Sequence, residues 1–236
     1  RFISIPIALP DNIAFNLIGH AFDVKPTAKE QWDIITNDLN DRVKDSRSKV
    51  MEVAKIIDSQ VIKDILPLHP MAALLLKNIA SGFKSNQRSM FDFIKVSNSD
   101  GTRAFQWFIE NMGPYDDHPL LTVDMLWNFF YEKGREHLAP DIRLILDTFP
   151  QQHNLREDEK TVLKAILIMQ AIDQRLGGTI ALFKATEQNL SYVFEGIPDL
   201  EGTKSGNLAK GLKEKGILVS NPISGGRYVY AAAVLA

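Results

Sequence analysis

The histidines and the grouped carboxylates are the residues of this chain that could support metal binding or acid–base chemistry. The five histidines lie far apart, and no His-x-x-x-His pair places two imidazoles on one helix face: His20, His69, His118, His137 and His153. That spacing argues against a zinc site. Asp116-Asp117 falls in a polar loop. Residues 157–159 (Glu-Asp-Glu) fall in the first turn of a predicted helix, where the helix dipole stabilises negative charge. We interpret both groups as structural and expect no metal site.

Phosphate-binding and nucleophile motifs are also missing from the sequence. A phosphate-binding loop needs Gly-x-x-x-x-Gly-Lys-Ser/Thr, because its backbone N–H groups and its lysine wrap the phosphates. The nearest stretch, residues 201–207 (Glu-Gly-Thr-Lys-Ser-Gly-Asn), has neither that spacing nor a lysine after its second glycine. Neither Gly-x-Gly-x-x-Gly nor Gly-x-Ser-x-Gly occurs. We therefore predict no catalytic residue and no cofactor in this chain alone.

The composition is that of an ordinary globular protein. Of the 236 residues, 45% are hydrophobic and 24% are charged, which is enough apolar material for a sizeable core. The net charge of −2 excludes a global basic field, so any contact with nucleic acid needs a local patch. The lack of cysteine excludes disulfides and thiolate chemistry, and it fits the cytoplasmic location that we expect. No apolar run of membrane-spanning length and no signal peptide is visible, so we expect no membrane partner.

Helical periodicity dominates residues 1–178, which we predict to be an all-α lid or adaptor bundle. Residues 27–65 carry two apolar stripes that are separated by a polar skip at 44–48. This pattern predicts a long helical arm, either as one bent helix or as a helical hairpin, with many charges facing solvent.

Two further helical features are expected in the same region. A helix should begin at Asn154, with Glu157 three residues later as a variant of the capping box, and should stop at Gly177-Gly178. Aromatic residues around Trp107 and Trp127 recur at helical spacing without interleaved basic residues. We therefore expect them in the core rather than on a surface that stacks bases.

Residues 179–236 change character and predict a small winged-helix domain of the α+β type. Thr186 is placed to cap one helix, and a second helix runs over about 203–215, followed by Gly216 at a position that favours positive φ. A β-hairpin over 217–230 completes the order helix, helix, hairpin, which is typical of a winged helix.

Basic residues on the second of these helices and on the hairpin form a candidate contact surface. They are Lys204, Lys210, Lys213, Lys215 and Arg227. Phosphates would favour such a patch, but Glu201 and Glu214 dilute it. We favour docking of a protein partner over contact with DNA.

The most informative stretch is residues 66–70 (Leu-Pro-Leu-His-Pro), followed by an apolar helix and then by residues 86–94 (Asn-Gln-Arg-Ser-Met-Phe-Asp-Phe-Ile). It resembles the segment that follows the nucleotide-binding core in large bacterial AAA+/STAND-like P-loop ATPases, many of them linked to phage defence. The resemblance is best over 66–94 and looser over the rest of the chain. It implies that residues 66–94 belong to a helical lid over a nucleotide, with ATP and Mg²⁺ held by an ATPase core that this chain lacks.

The resemblance also implies roles for individual residues. Arg88 becomes the candidate nucleotide sensor, because an arginine fork makes paired, charge-assisted bonds to a phosphate, and losing them on hydrolysis would release the lid. The alternative is that Arg88 is a solvated helix residue or binds a helix C-terminus. His69 and Pro70 are expected to be structural residues of the turn, with Pro70 in the first helical turn, where its missing N–H is harmless.

Together these observations predict a non-catalytic regulatory fragment of a P-loop ATPase, which couples the nucleotide state of the missing core to a protein effector or to DNA. The chain opens on Arg1 within an apolar stretch, which we interpret as a cut from a longer polypeptide. Two alternatives stay open. One is a stand-alone winged-helix DNA-binding regulator, whose DNA affinity would fall with salt. The other is a structural interaction module whose arm docks another protein.

Overall fold

The computed structural model describes residues 9–82, 89–97, 100–149 and 154–234. These residues are mainly helical, and a small two-stranded antiparallel sheet lies near the C-terminal end. The predicted fold class is confirmed at this level. In the described part of the chain, no helix is both long and apolar enough to cross a membrane.

The described residues of the N-terminal half form short helices, with a 3₁₀ turn at Pro26–Ala28. The helices are α1 (Asp11–His20), α2 (Lys29–Arg42), α3 (Lys44–Ala54), α4 (Gln60–Asp64), α5 (Pro70–Ala80), α6 (Met90–Lys95) and α7 (Phe105–Asn111). Pro70 occupies the first turn of α5, as predicted.

The predicted arm, residues 27–65, contains helices α2, α3 and α4, and the first two are joined at a single residue. Val43 separates α2 from α3, and its backbone leaves the helical region with φ −104° and ψ 31°. The side chain of Val43 is fully buried, so the connection between α2 and α3 packs in the core. Val43 lies one residue before the predicted polar skip at 44–48. The buried side of α3, which includes Val50, packs against α5.

The C-terminal half begins with irregular helical turns and ends in the hairpin. Its elements are the 3₁₀ turns Val123–Leu126, Arg135–His137 and Ala181–Phe183, the π-helical turn Asn128–Glu132, helices α8 (Pro140–Leu146), α9 (Glu157–Arg175), α10 (Glu187–Val193) and α11 (Lys204–Glu214), and strands β1 (Val219–Ile223) and β2 (Arg227–Ala231). The two strands pair with Ser220 opposite Tyr230 and Ile223 opposite Arg227.

Helix α9 is the centre of the core. It is buried nearly all round between Val162 and Ile172, and it contacts α5, α8, α11 and β2. Its predicted stop is confirmed, since Gly177 and Gly178 have φ of +67° and +69°. Such values are accessible to glycine at little cost.

The predicted start of α9 is wrong by two residues. Asn154 has a left-handed backbone (φ +64°) and precedes the helix, while Arg156 holds the N-cap position. The carboxylate that folds back is that of Glu159, which accepts the backbone N–H of Arg156 at 3.0 Å. Glu157 instead pairs with Lys160 at 2.6 Å.

The elements after α9 follow the predicted order. Thr186 caps α10 by accepting the backbone N–H of Asn189 at 3.1 Å, and Gly216 has φ +74° after α11, as predicted. Helices α10 and α11 meet at the buried Gly206, where a Cβ atom would lie 3.2 Å from Cγ of Glu187. The hairpin was predicted over 217–230, and its two strands run over Val219–Ile223 and Arg227–Ala231.

Candidate functional site

His69 lies near the start of residues 66–94, the segment that carries the family resemblance, and both of its ring nitrogens form hydrogen bonds. It is fully buried at the N-cap of α5, where Nδ1 accepts the backbone N–H of Met71 at 3.1 Å. The proton is therefore on Nε2, which donates to the backbone carbonyl of Glu195 at 3.1 Å. Burial lowers the pKa of His69 to about 3, so the imidazole is neutral at physiological pH. Neither nitrogen is left for acid–base chemistry.

The backbone around His69 is tied to the aromatic half of the chain. The N–H of His69 donates to the carbonyl of Leu121 at 3.0 Å, and the N–H of Leu121 donates to the carbonyl of Pro67 at 2.9 Å. Leu68 and Leu121 form an isolated parallel β-bridge between these bonds. The start of α5 is thus held in place by backbone contacts as well as by its side chain.

Glu195 forms hydrogen bonds with two other parts of the fold, the start of α5 and the first turn of α3. Its carbonyl receives the His69 bond, while its carboxylate accepts the backbone N–H of Asp45 at 3.0 Å and of Ser46 at 2.6 Å. Those two N–H groups belong to the first turn of α3, where a negative charge is favoured by the helix dipole. We call the contact of Glu195 with His69, Asp45 and Ser46 the Glu195 joint. It links α3, α5 and the segment that follows α10.

Gly196 allows the close approach on which this joint depends. Its φ is +82°, and a Cβ atom there would lie 2.9 Å from Cδ1 of Leu120 and 3.4 Å from Cβ of Arg42. A larger residue would therefore suffer both backbone strain and a steric clash.

Helix α9 makes a second set of contacts with the C-terminal elements. The buried Glu159 accepts from Nζ of Lys215 at 2.5 Å. The side chain of Gln170 brackets Ala232, accepting its N–H at 2.8 Å and donating to its carbonyl at 3.1 Å. The N–H of Tyr230 donates to the carbonyl of Ala185 at 2.9 Å. Helix α9 is therefore hydrogen-bonded to the end of α11, through Lys215, and to the residue after β2. We call α10, α11 and the hairpin the C-terminal unit.

Replacing Glu159 with glutamine is expected to lower the free energy of unfolding by about 1 kcal/mol at pH 7, because the ion pair with Lys215 becomes a hydrogen bond from the ammonium group to a neutral amide. The loss is small because the half-exposed Lys215 is partly screened by solvent. Lys215 and the Arg156 N–H hold the pKa of Glu159 below its ordinary value. The contribution is therefore present at neutral pH and is lost as the pH falls through the lowered pKa of the folded state. Urea unfolding at pH 7 and at pH 3 would measure it.

The matched control for this prediction is Glu157→Gln, which removes an exposed i,i+3 pair with Lys160 in the same helical turn. Because this pair is exposed to solvent, its loss should change the free energy of unfolding by less than Glu159→Gln does at pH 7. A difference between wild type and Glu159→Gln that does not shrink in acid would contradict the role assigned to the carboxylate.

Most side chains of the predicted basic patch make contacts within the protein, and two of the five, Lys210 and Lys215, are paired with carboxylates. Lys204 donates to the carbonyl of Pro198, Lys210 pairs with Glu187 at 3.2 Å, and Lys215 is held by Glu159. Arg227 donates through Nε to the carbonyl of Ser224 at 3.2 Å. Of the predicted patch, Lys213 is the residue whose side chain makes no hydrogen bond or ion pair with the described residues. Residues 179–236 carry six basic and five acidic side chains, a net charge of +1.

Arg88, the candidate sensor, lies in 83–88, outside the described residues, so its role stays a prediction. The aromatic residues that were expected in the core divide into two cases. Trp127 is almost fully buried, against Tyr131 and Phe149, whereas Trp107 is half-buried beside a cavity.

Of the two residues that link the elements, Glu195 is not distinguished by any local pattern, and Glu159 stands out only as a member of the acidic group 157–159. The sequence shows residues 196–202 as a loop, but the partners of the Glu195 carboxylate are 149 and 150 residues away. Residues that face the cavity, such as Arg103 and Asp124, have no motif either.

No family model matches the chain, and no curated protein and no solved structure matches it. A functional proposal therefore depends on the resemblance of residues 66–94 and on the contacts described above.

Proposed function

We propose that this chain is a non-catalytic regulatory region of a P-loop ATPase, which couples the nucleotide state of the ATPase core to a protein partner. The resemblance of residues 66–94 supports the ATPase context. The single observation that supports coupling is the Glu195 joint. Because His69 caps α5 inside the resembling segment, a displacement of α5 would pull directly on Glu195 and on the first turn of α3.

Under this proposal helix α9 and the C-terminal unit together form a winged helix. This winged helix would begin near Glu157, whereas the sequence analysis begins it at residue 179. Three helices followed by a hairpin are the elements of that motif. The backbone hydrogen bond between Ala185 and Tyr230 places the chain before α10 beside strand β2. Gln170 connects the end of β2 to α9. These contacts support treating α9 to β2 as one unit.

We propose a protein rather than DNA as the partner of this unit. The charge balance near zero and the internal pairing of the lysines leave little attraction for phosphates. The hairpin instead exposes apolar side chains, Val219 and Tyr228, which are 41% and 54% exposed. Aromatic and apolar anchors of this kind are enriched in protein interfaces.

Binding of this chain to duplex DNA is expected to be weak and only slightly dependent on salt. If Lys213 and Arg227 supply the phosphate contacts, the logarithm of the affinity should fall with the logarithm of the salt concentration with a slope of about −2. Fluorescence anisotropy with a labelled 20-base-pair duplex at several salt concentrations would measure the slope. A specific, tight complex with a much steeper slope would instead support the stand-alone DNA-binding regulator.

The ATPase proposal is tested first by the coding sequence upstream of Arg1. A Gly-x-x-x-x-Gly-Lys-Thr motif there is expected, and a start codon directly before Arg1 would contradict the proposal. The intact polypeptide should then hydrolyse ATP. In that polypeptide, hydrogen exchange of residues 187–202 is expected to differ between the ATP and ADP states, because the Glu195 joint connects them to α5. Identical exchange in both states would contradict the coupling.

A further inference from the structure

A cavity of about 200 Å³ lies between the start of α7, the turns over 123–132 and helix α9. We call it the Trp107–Trp127 pocket. Its walls include both tryptophans and Met125, and its polar groups include Arg103, Asp124 and Lys164. A cavity of this size suits a small molecule rather than a nucleotide, and the mixture of aromatic walls with a few charged groups is typical of ligand sites.

The positive side of the pocket is formed by Arg103. Its guanidinium carbon lies 5.1 Å from the ring centroid of Trp107, a cation–π arrangement, and its backbone N–H donates to Oδ1 of Asn128 at 2.6 Å. The backbone is therefore anchored while the side chain lies at the rim. Within the part of the chain that the structure describes, the guanidinium forms no ion pair.

The negative side of the pocket is formed by the carboxylate of Asp124, which accepts a hydrogen bond from Thr122. Thr122 donates through Oγ1 to Oδ1 of Asp124 at 2.6 Å, and Thr122 in turn accepts from Nε2 of His118 at 2.7 Å. Burial raises the pKa of Asp124, while the nearby His118 lowers it. A positively charged ligand group would compensate for this cost of burial.

The remaining charges of the pocket are already matched to each other. Nζ of Lys164 lies 4.0 Å from Oε1 of Glu132 and sits over the rings of Trp127 and Phe149, at 5.9 and 5.2 Å. Nδ2 of Asn128 donates to Glu132 at 2.6 Å. Arg103 and Asp124 are therefore the two opposite charges of the cavity that make no ion pair within 4.0 Å among the described residues, and Lys164 also acts on Asp124 from farther away by lowering its pKa.

We propose that the Trp107–Trp127 pocket binds a small zwitterion of the α-amino acid class, with the ligand carboxylate at Arg103, the ligand ammonium at Asp124 and the ligand side chain against the aromatic wall. A lone cation would meet the charges of Arg103 and Lys164, and a lone anion would meet those of Asp124 and Glu132. Only a ligand with both charges satisfies both sides of the pocket. The proposal does not depend on the ATPase assignment, because every group that it uses lies in this chain.

The test is calorimetric titration of the 236-residue chain with L-leucine and L-phenylalanine, and with their amine-only and acid-only analogues: 3-methylbutylamine, 2-phenylethylamine, 4-methylpentanoate and 3-phenylpropanoate. At least one amino acid is expected to bind at least about 10-fold more tightly than either of its analogues, since each charge-assisted contact contributes about one to two powers of ten. Equal affinity for the amine or the acid alone would overturn the zwitterion proposal. So would the absence of heat from every probe at about 10 mM, a concentration that a weak specific site would register.

Two pocket variants and one control separate a binding effect from a folding effect. Arg103→Gln changes an exposed side chain and Asp124→Asn keeps the shape of the carboxylate, and each is expected to weaken binding of the amino acid about 10- to 100-fold. Asp41→Asn, on the exposed face of α2, is the matched control and should bind like wild type. If Arg103→Gln bound the amino acid with wild-type affinity at an unchanged melting temperature, the proposed site would be wrong. ATP hydrolysis by the intact polypeptide is an independent measurement, so failure of either proposal leaves the other standing.

Discussion

Replacing His69 with leucine is expected to lower the free energy of unfolding by about 2–4 kcal/mol at pH 7. Leucine fills a similar volume, but it leaves the N–H of Met71 and the carbonyl of Glu195 without the bonds that the imidazole provides. A buried polar group without a partner costs about 1–3 kcal/mol, and the loss of an N-cap costs about 1 kcal/mol. Urea denaturation followed by circular dichroism would measure the change.

Asparagine at position 69 is the informative control for this prediction. It is a favoured N-cap residue and can accept the N–H of Met71, so it should recover about 1 kcal/mol relative to leucine. Its shorter side chain does not extend to the carbonyl of Glu195, so the rest of the loss should persist. Equal stability of His69→Asn and wild type would mean that the bond across the Glu195 joint contributes nothing.

The pH dependence gives a second, independent signature of His69. Its folded pKa of about 3 lies below the ordinary value of 6.5, so the unfolded chain binds a proton in a range where the folded protein does not. The stability that the neutral imidazole provides is therefore complete above pH 6.5 and decreases as the pH falls from 6.5 towards 3. The difference between wild type and His69→Leu should shrink over that window. A difference that is the same at pH 7 and at pH 4.5 would mean that His69 is protonated within the fold.

The features that could be predicted from the sequence depend on residues within one helical turn or one hairpin. Thr186 and Pro70 begin their helices as predicted, and Gly216 follows α11 with positive φ, because caps and breakers act over three or four residues. Asp116, which we interpreted as structural, accepts the N–H of Gly113 within its own loop. Composition and periodicity were enough for the helical class and the hairpin.

What could not be predicted depends on contacts between distant elements. The carboxylate of Glu195 caps a helix that begins about 150 residues earlier, and nothing near Glu195 indicates that partner. The predicted start of α9 is wrong because two capping boxes fit this stretch: Glu157 would pair with Asn154, and Glu159 pairs with Arg156. The opposed charges of Arg103 and Asp124 are 21 positions apart and meet only because the turns over 123–132 fold back onto the start of α7. The resemblance of residues 66–94 supplied the ATPase hypothesis, which no contact in the chain could have suggested alone.

In the intact ATPase proposed above, Arg88→Ala is expected to reduce the rate of ATP hydrolysis by about 10- to 100-fold. The expectation assumes that Arg88 donates paired bonds to a phosphate, whose loss costs about 1.5–3 kcal/mol in the transition state. Arg88→Lys keeps the charge but loses the fork, so it should show an intermediate rate. Steady-state hydrolysis by the intact polypeptide, with kcat and KM measured separately, would test the series.

A structural effect of Arg88 can be distinguished by its neighbour Ser89. Ser89 accepts the N–H of Asp92 at 3.1 Å, and its own N–H donates to the Asp92 carboxylate at 2.8 Å, so this capping box fixes the start of α6 directly after Arg88. Ser89→Ala should destabilise α6 by about 1 kcal/mol without removing a charge from the nucleotide. If Arg88 acts as a sensor, Arg88→Ala slows hydrolysis at an unchanged melting temperature, whereas Ser89→Ala lowers the melting temperature with a smaller effect on the rate. The reverse pattern would make residues 88–95 a structural element, and a wild-type rate in Arg88→Ala would exclude Arg88 from the mechanism.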